Sequence, residues 1–482
     1  MYRAKQEGQQ YLSDFFLPFG GKLSKDNRWV KLSEIMPWES IETEYAKHFR
    51  ARDGQIAKSA RVAFGALYIQ IKCGFTDEET RQQIMENPYL QYFLGFEGYS
   101  DEPPFDASMM TYFRKRIDIE FVRSVMEQMV QLEAEDKNDK NDDNHNTGAS
   151  DSTDSKKQNS THKGKLLLDA TCAPADIHFP TDVWLLDACR SNLENIIDLL
   201  FPQVKHKYIV KPRTYRENAH RDYMNLAKLR KKSKKAIRKA IGRQLRYVGR
   251  DLRHIAKLIQ NRANLSVLGR VLYRKLLVIG EIYRQQKEMF DHHTHKTEHR
   301  IVSISQPHIR PIKRGKAAAE TEFGAKIAIS LVDGYAFIDK VSWDNFNEEE
   351  CLEQAIQSYY KRYGYYPESV ICDRIYNNRN NRAYCKKYGI RISGPRLGRP
   401  KANEAKEDKQ QAYKDSCIRN AVEGEFGVGK RKYGLGRIMA KLTKTSEAVI
   451  GMHFLVMNME RRLRLLFALI FQWLFGRGKC LT

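Results

Sequence analysis

Hydrophobic spacing changes several times along the chain, and each change marks an element. Over residues 59–72, Val62, Phe64, Leu67, Ile69 and Ile71 predict a buried helix that Gly74 breaks. Thr76 followed three residues later by Glu79 is a capping-box pattern, which opens a second helix that stops near Asn87-Pro88. A short segment over 89–96 leads into a Gly/Pro-rich loop through Pro103-Pro104. Asp106 then caps a helix over 108–117 that carries Arg114, Lys115 and Arg116. Short helices ending in a basic one fit a helix-turn-helix relative, and they fit a helical dimerisation domain equally well.

From 133 to 163 the chain is Asp, Asn, Lys, Ser and Thr with almost no apolar residue. Such a stretch buries too little surface to offset its ordering entropy, so it reads as a disordered polar linker. Residues 165–172 form a short apolar run, read as a buried strand with Asp169 at its end. Residues 183–290 are helical in pattern. Strand character returns over 325–332 and 335–343, which flank Asp333-Gly334, a two-residue hairpin turn. A helix over 348–363, a strand over 368–373 ending in Asp373, a helix over 378–388 and a short strand over 390–393 follow. A Gly/Pro/Lys-rich loop over 394–405 leads to a last helical region from about 408. This order predicts an α/β fold: a mixed sheet flanked by helices, preceded by an all-helical domain (1–132) and the linker (133–163). The sheet-containing domain spans 164–460 with a helical insertion over about 183–300, and a C-terminal helix covers 461–482.

Charge sharpens the picture. The chain of 482 residues carries 83 Lys and Arg against 59 Asp and Glu, a formal net charge of +24. That excess predicts a polyanionic partner. It concentrates between Lys205 and Arg253, where Glu217, Asp222 and Asp251 are the only acids. Leu226, Leu229, Ile237, Ile241, Leu245, Val248, Leu252 and Ile255 recur there at three- and four-residue steps, which predicts an amphipathic helical hairpin with a cationic outer face. Lys231, Lys232, Lys234, Lys235, Arg238 and Lys239 are its densest cluster and are candidates to bind phosphate backbone.

Eight scattered cysteines without a CxxC pair, and an N-terminus without an apolar signal core, point to a cytoplasmic protein. The apolar run over 465–475 is about half a membrane span, and a packed C-terminal helix is expected there. His292, His293, His295 and His299 read as a solvated loop, and Asp176 and Asp182 as loop caps. Asn377 and Asn378 suit either a helix start or a DNA contact.

The chemistry lies with carboxylates at strand ends. Asp169 and Asp373 on parallel neighbours would project into one crevice. Such oxygen donors suit Mg²⁺, and two ions about 4 Å apart serve phosphodiester chemistry. A third acid is expected on the final helix. Glu423 shares a face with Arg419 and Lys430 at helical spacing, and Glu425 remains its alternative.

At these residues the chain resembles bacterial insertion-sequence transposases of the DDE type, in the broad group around insertion sequences four and five, with a ribonuclease H-like core. The resemblance rests on Leu-Leu-Leu-Asp169-Ala-Thr, on Val-Ile-Cys-Asp373-Arg-Ile-Tyr, and on Arg419, Glu423 and Lys430 in their spacing. Arg310-Pro-Ile-Lys-Arg-Gly-Lys316 before Glu322-Phe-Gly and the helical segment 58–117 reinforce it. Ser416 stands where the family often has Tyr, and a long basic insertion follows Asp169. The resemblance implies Asp169, Asp373 and Glu423 as ligands of two Mg²⁺ ions, with Mn²⁺ able to substitute, and Arg419 and Lys430 on element-end DNA. It implies cleavage and strand transfer by at least a homodimer. A DNA-binding regulator without catalysis and a nuclease that does not join strands are the alternatives.

Overall fold

A computed structural model describes residues 14–49, 56–142, 162–316, 319–394 and 406–475. The loop over 394–405 and residues 461–482 thus fall partly outside the described residues, as do 143–161 of the linker. Contacts divide the chain into two compact units. One comprises 1–174, 326–342 and 346–482, and the other 175–325 with 343–345.

The first unit joins the N-terminal helices to the sheet. Its helices are α1 (Arg28–Ile35), α2 (Trp38–Ala46), α3 (Ala60–Cys73), α4 (Asp77–Glu86), α5 (Pro88–Phe93), α6 (Met109–Arg116) and α7 (Ile119–Asp142). The cap expected at Thr76 forms, whereas α6 starts from Ser108 without a side-chain cap and Asp106 accepts the Ser108 N–H one step before it. The Thr76 hydroxyl accepts from the Glu79 N–H at 3.1 Å, and Gly74 ends α3 in the left-handed region at φ 73°. Helix α7 runs ten residues into the segment whose composition predicts a linker. The basic end of α6 is partly engaged by its own unit: Arg114 pairs with Asp77 at 2.5 Å, and Arg116 lies over the Phe49 ring at 4.6 Å.

The sheet strands are β1 (Lys165–Pro174), β2 (Arg310–Lys316), β3 (Ala319–Val332), β4 (Tyr335–Ser342), β5 (Ser369–Ile371) and β6 (Arg391–Ile392). β2 pairs with the first half of β3, up to Gly324, inside the second unit. In the first unit the order is β4-β3-β1-β5-β6. β3 and β4 are antiparallel, whereas β1, β5 and β6 run parallel. The hairpin turn has Asp333 at φ 49° and Gly334 at φ 80°, the two positive values that a two-residue turn of this hand needs.

Helices α12 (Cys351–Tyr363), α13 (Arg379–Lys387), α14 (Lys406–Lys432) and α15 (Thr443–Phe475) complete this unit. α15 is continuous across the expected start of a separate C-terminal helix at 461. Its buried stretch, from Ile450 to Met459, packs on α7, α3 and β4. Asn458 gives and accepts one bond with the backbone of Ala336 on β4, at 2.8 and 2.9 Å. Burial on this helix ends at Leu463, and within the stretch expected to pack Leu465, Leu469 and Phe471 are exposed. No helix among the described residues is long and apolar enough to cross a membrane.

The second unit holds α8 (Asp182–Val204), α9 (Arg216–Ala227), α10 (Lys234–Gln260) and α11 (Gly269–Asp291). It is larger than the expected insertion, since it includes β2 and the first half of β3. Ile241, Leu245, Val248, Ile255 and Leu258 of α10 face Leu186, Leu193, Ile196 and Leu200 of α8 in one core. Gly242 and Gly249 let α11 approach closely. A Cβ at either would meet Phe290 at 2.9 Å or the Tyr283 hydroxyl at 2.5 Å. Two glycines seven apart, facing aromatics seven apart, set the antiparallel register of the pair.

In the first unit, Lys72 and Tyr68 of α3 both donate to the Glu460 carboxylate on α15, Tyr68 at 3.1 Å. Lys72 and Glu460 have side-chain exposures of only 8% and 13%. Removing the acid strands a buried ammonium, which in comparable pairs costs about 3–5 kcal/mol. Glu460→Ala should therefore lower the urea midpoint strongly, and Glu460→Gln less. Equal midpoints for both variants and the parent would show that this pair does not hold α3 on α15.

Candidate active site

Asp169 lies in the middle of β1, not at its end as the apolar run suggested, because the strand continues to Pro174. Its neighbour β5 is short and parallel, pairing Lys165 with Ser369, Leu166 with Val370 and Leu167 with Ile371. The same offset carries Asp169 to Asp373, two residues beyond Ile371. Side chains alternate along a strand, so Asp169 continues the face of Leu167, while Asp373 opens the turn just beyond the end of β5.

Their local bonding fixes both carboxylates. One Asp169 oxygen accepts the Ala170 N–H at 2.8 Å, and one Asp373 oxygen accepts the Arg374 N–H at 2.6 Å, capping a short turn. The loop after β5 is held from behind. The Cys372 N–H donates to the Ser393 hydroxyl at 2.9 Å, and the Asn377 amide donates to the Ser393 carbonyl at 3.0 Å.

Burial pushes the Asp169 carboxyl up to about 6. The Ala170 N–H and the Arg419 charge oppose the rise, while Glu348 and Asp373 add to it. Two acids and one guanidinium are therefore felt electrostatically at Asp169. Glu348, which sequence reasoning treated only as a helix start, is one of them. Its signal was the acidic run Glu348–Glu350, and Lys326 holds it in an ion pair at 3.0 Å.

Helix α14 runs unbroken to Lys432 through Gly424, Gly427 and Gly429, so Arg419, Glu423 and Lys430 occupy one helix. Buried Asp415 anchors it, accepting two bonds from Arg391 at 2.6 and 2.9 Å and one from Gln411 at 2.9 Å. Val422 and Phe426 supply the buried side. Arg419 pairs with Glu423 at 3.2 Å, and the Glu423 side chain is 56% exposed. Glu425 sits elsewhere: burial raises its pKa, and Arg464 and Arg461 of α15 oppose the rise.

Among the described residues, no three His, Cys, Asp or Glu side chains converge closely enough to hold a metal ion. Asp169 and Asp373 nonetheless fit a hard divalent cation. They are oxygen donors of the kind such an ion prefers, and a cation would offset the burial that disfavours a charged Asp169. Glu423 is tied to Arg419 in this conformation, so its place in the set requires that pair to part.

The cationic residues of the second unit divide into two sets. Lys211 and Arg216 pair with Asp198, and Arg243 with Asp222, at 2.7–2.9 Å. Arg238, expected on the outer face, donates to the Phe290 carbonyl at 2.9 Å and covers that ring at 4.2 Å. Lys231, Lys232, Lys234, Lys235 and Lys239 are exposed. The remaining candidates take structural parts. Asn378 caps α13 by accepting from the Asn381 N–H at 2.8 Å. Asp182 accepts from Gln286 and Arg300, and Asp176 offers its carbonyl to Gln306. His292 and His293 bond to the Glu288 carbonyl and to Arg238. The seven described cysteines are free thiols, five of them buried.

Residues 370–460 match the family described as "Transposase DDE domain", and residues 18–116 match "Transposase domain (DUF772)". The first match contains Asp373, Arg419, Glu423 and Lys430, and the second covers α1 to α6. An uncharacterised protein, ORF8 in the nfe locus of Rhizobium meliloti, is 33% identical over 102 residues, or 21% of this chain. The chain spans 49% of that relative's length. No solved structure matches. With a DUF772 transposase region at the front and a transposase DDE domain at the back, the chain is similar to the bacterial insertion-sequence transposases of the DDE type.

Proposed function

We propose that the chain binds the ends of its own element, cuts the phosphodiester bond there with water, and joins the exposed 3′-hydroxyl to target DNA. The observation that supports this reading is the parallel β1–β5 pairing, with Asp169 on β1, Asp373 just after β5 and the Asp373 charge felt at Asp169. The order β4-β3-β1-β5-β6, antiparallel in its β3–β4 hairpin and parallel from β1 to β6, supports a ribonuclease H-like core.

Asp169 and Asp373, joined by Glu423, would hold two Mg²⁺ ions, with Mn²⁺ able to replace them. When bound, the ions polarise phosphoryl oxygens and acidify the attacking oxygen. The chain's own residues do the rest. Ala170 and Arg374 N–H groups orient the carboxylates, and Asp415 fixes the helix that carries the third. Arg419, released from Glu423, meets a backbone phosphate together with Lys430. Lys231, Lys232, Lys234, Lys235 and Lys239 hold the duplex through its backbone, while Arg238 braces α10 against Phe290. The N-terminal helices recognise the end sequence or mediate pairing. Two ends must be cut and joined together, which asks for at least a homodimer on DNA in the bacterial cytoplasm.

Asp169→Asn or Asp373→Asn should lower cleavage of labelled element ends by about a hundred-fold or more while leaving DNA affinity intact. Retained cleavage would remove that residue from the site. Shifted but never nicked DNA with the parent protein would favour the regulator. Pre-cut ends that are never joined to plasmid target would favour the nuclease.

The raised Asp169 pKa carries a sign. A carboxyl held near 6 when folded binds its proton more tightly than in the unfolded chain. Its stabilising contribution is complete below about 4 and disappears as pH rises through 6. Metal-free parent protein should therefore lose melting temperature over that window relative to Asp169→Asn. Mg²⁺ at pH 8 should raise the parent's melting point and not the variant's. Parallel pH profiles and equal Mg²⁺ shifts in calorimetry would contradict both points.

Replacing Lys231, Lys232, Lys234, Lys235 and Lys239 with Gln should flatten the dependence of log affinity on log salt, by about 0.9 for each phosphate that is no longer neutralised. An unchanged slope would place the DNA elsewhere.

A further inference from the structure

The segment between α8 and α9 presents two apolar side chains to solvent in a cationic frame. Ile209 is fully exposed and Val210 is 66% exposed. Lys205, His206, Lys207, Lys211, Arg213 and Arg216 surround them in a stretch without an acid.

The segment is clamped on both sides of that tip. Before it, Tyr208 packs edge-on against Phe201 at 5.8 Å, and its hydroxyl meets the Asn261 amide at 2.8 Å. Lys207 donates to the Asn261 carbonyl at 2.7 Å. After it, Lys211 is held by Asp198 at 2.7 Å. Arg250 donates to the Thr214 carbonyl and lies over the Tyr215 ring at 4.9 Å. Tyr215 itself is fixed in the left-handed region at φ 52°, a conformation a bulky residue adopts only where its surroundings impose it. Two β-branched residues are thus held outward on a braced support.

We propose that Ile209 and Val210 form a wedge that enters duplex DNA from the minor groove and unstacks one base step at the element end. The inference rests on the DNA-binding reading above and names a contact within it. Apolar wedges flanked by cations are a physical solution for kinking a duplex: the cations hold the backbone, and one or two side chains fill the opened step. Two side chains are too little apolar area to anchor a protein in lipid, which needs a larger buried face. Lys205 and Arg213, exposed on either side of the tip, match a phosphate backbone.

The experiment uses the full chain and duplex element-end DNA carrying 2-aminopurine at successive positions, in a salt series. The parent protein should raise the fluorescence at one step. Ile209→Ser with Val210→Ser should abolish that rise and weaken binding by about ten-fold, with an unchanged circular dichroism melting curve because both side chains are already in solvent. Salt-sensitive binding with no fluorescence rise at any position, or with a rise the double variant keeps, overturns the wedge and leaves the DNA reading standing. Absence of any salt-dependent DNA binding overturns both. Sedimentation with anionic vesicles that the double variant loses, without a 2-aminopurine signal, assigns the tip to lipid and overturns the proposal.

Discussion

Parallel pairing of β1 with β5 is the constraint on which the site depends. The two strands share only three residue pairs, yet those pairs fix the register. They bring Asp169 on β1 and Asp373 in the turn after β5, 204 positions apart in the chain, to the same pair of strands. A slip of one residue would turn Asp169 to the opposite face. Burial leads the rise in the Asp169 pKa, and the negative charges of Glu348 and Asp373 add to it.

The supports around that register act at one remove. Ser393 on the far side of β5 takes the Cys372 N–H and the Asn377 amide, so the turn bearing Asp373 is braced from behind. The doubly bonded Arg391–Asp415 pair ties α14 beside the same parallel strands, and Arg419 carries the influence of that helix to Asp169. Glu348, held by Lys326, adds negative charge from the start of α12. In the helical unit the comparable constraint is steric: glycines at 242 and 249 admit Phe290 and Tyr283, and the amphipathic face of α10 does the rest.

Much of this was legible in the residues. The helix start at Thr76, the stop at Gly74, the hairpin at Asp333-Gly334 and the alternation of strands and helices after 325 follow local rules of capping, left-handed backbone and hydrophobic period, so the chain states them directly. The candidates Asp169, Asp373 and Glu423 were legible as acids in characteristic settings. Less legible was anything set by a distant partner. Arg238 looked like one more outer cation, yet it braces Phe290, fifty-two residues on. Gly424, Gly427 and Gly429 are poor helix formers, yet α14 continues through them to Lys432, with Gly429 placed close to Leu435 and Met457.

The sequence by itself determined the elements, the cationic excess of +24 and the chemical identity of the acids, because propensity, period and charge are local properties of the chain. The tertiary structure decided which acids are neighbours, that Glu348 belongs to the environment of Asp169, that Glu425 turns toward Arg461 and Arg464, and which cations remain at the surface. Those outcomes depend on strand register and on helix faces meeting across hundreds of residues. They are many-body packing results that no short window of sequence contains.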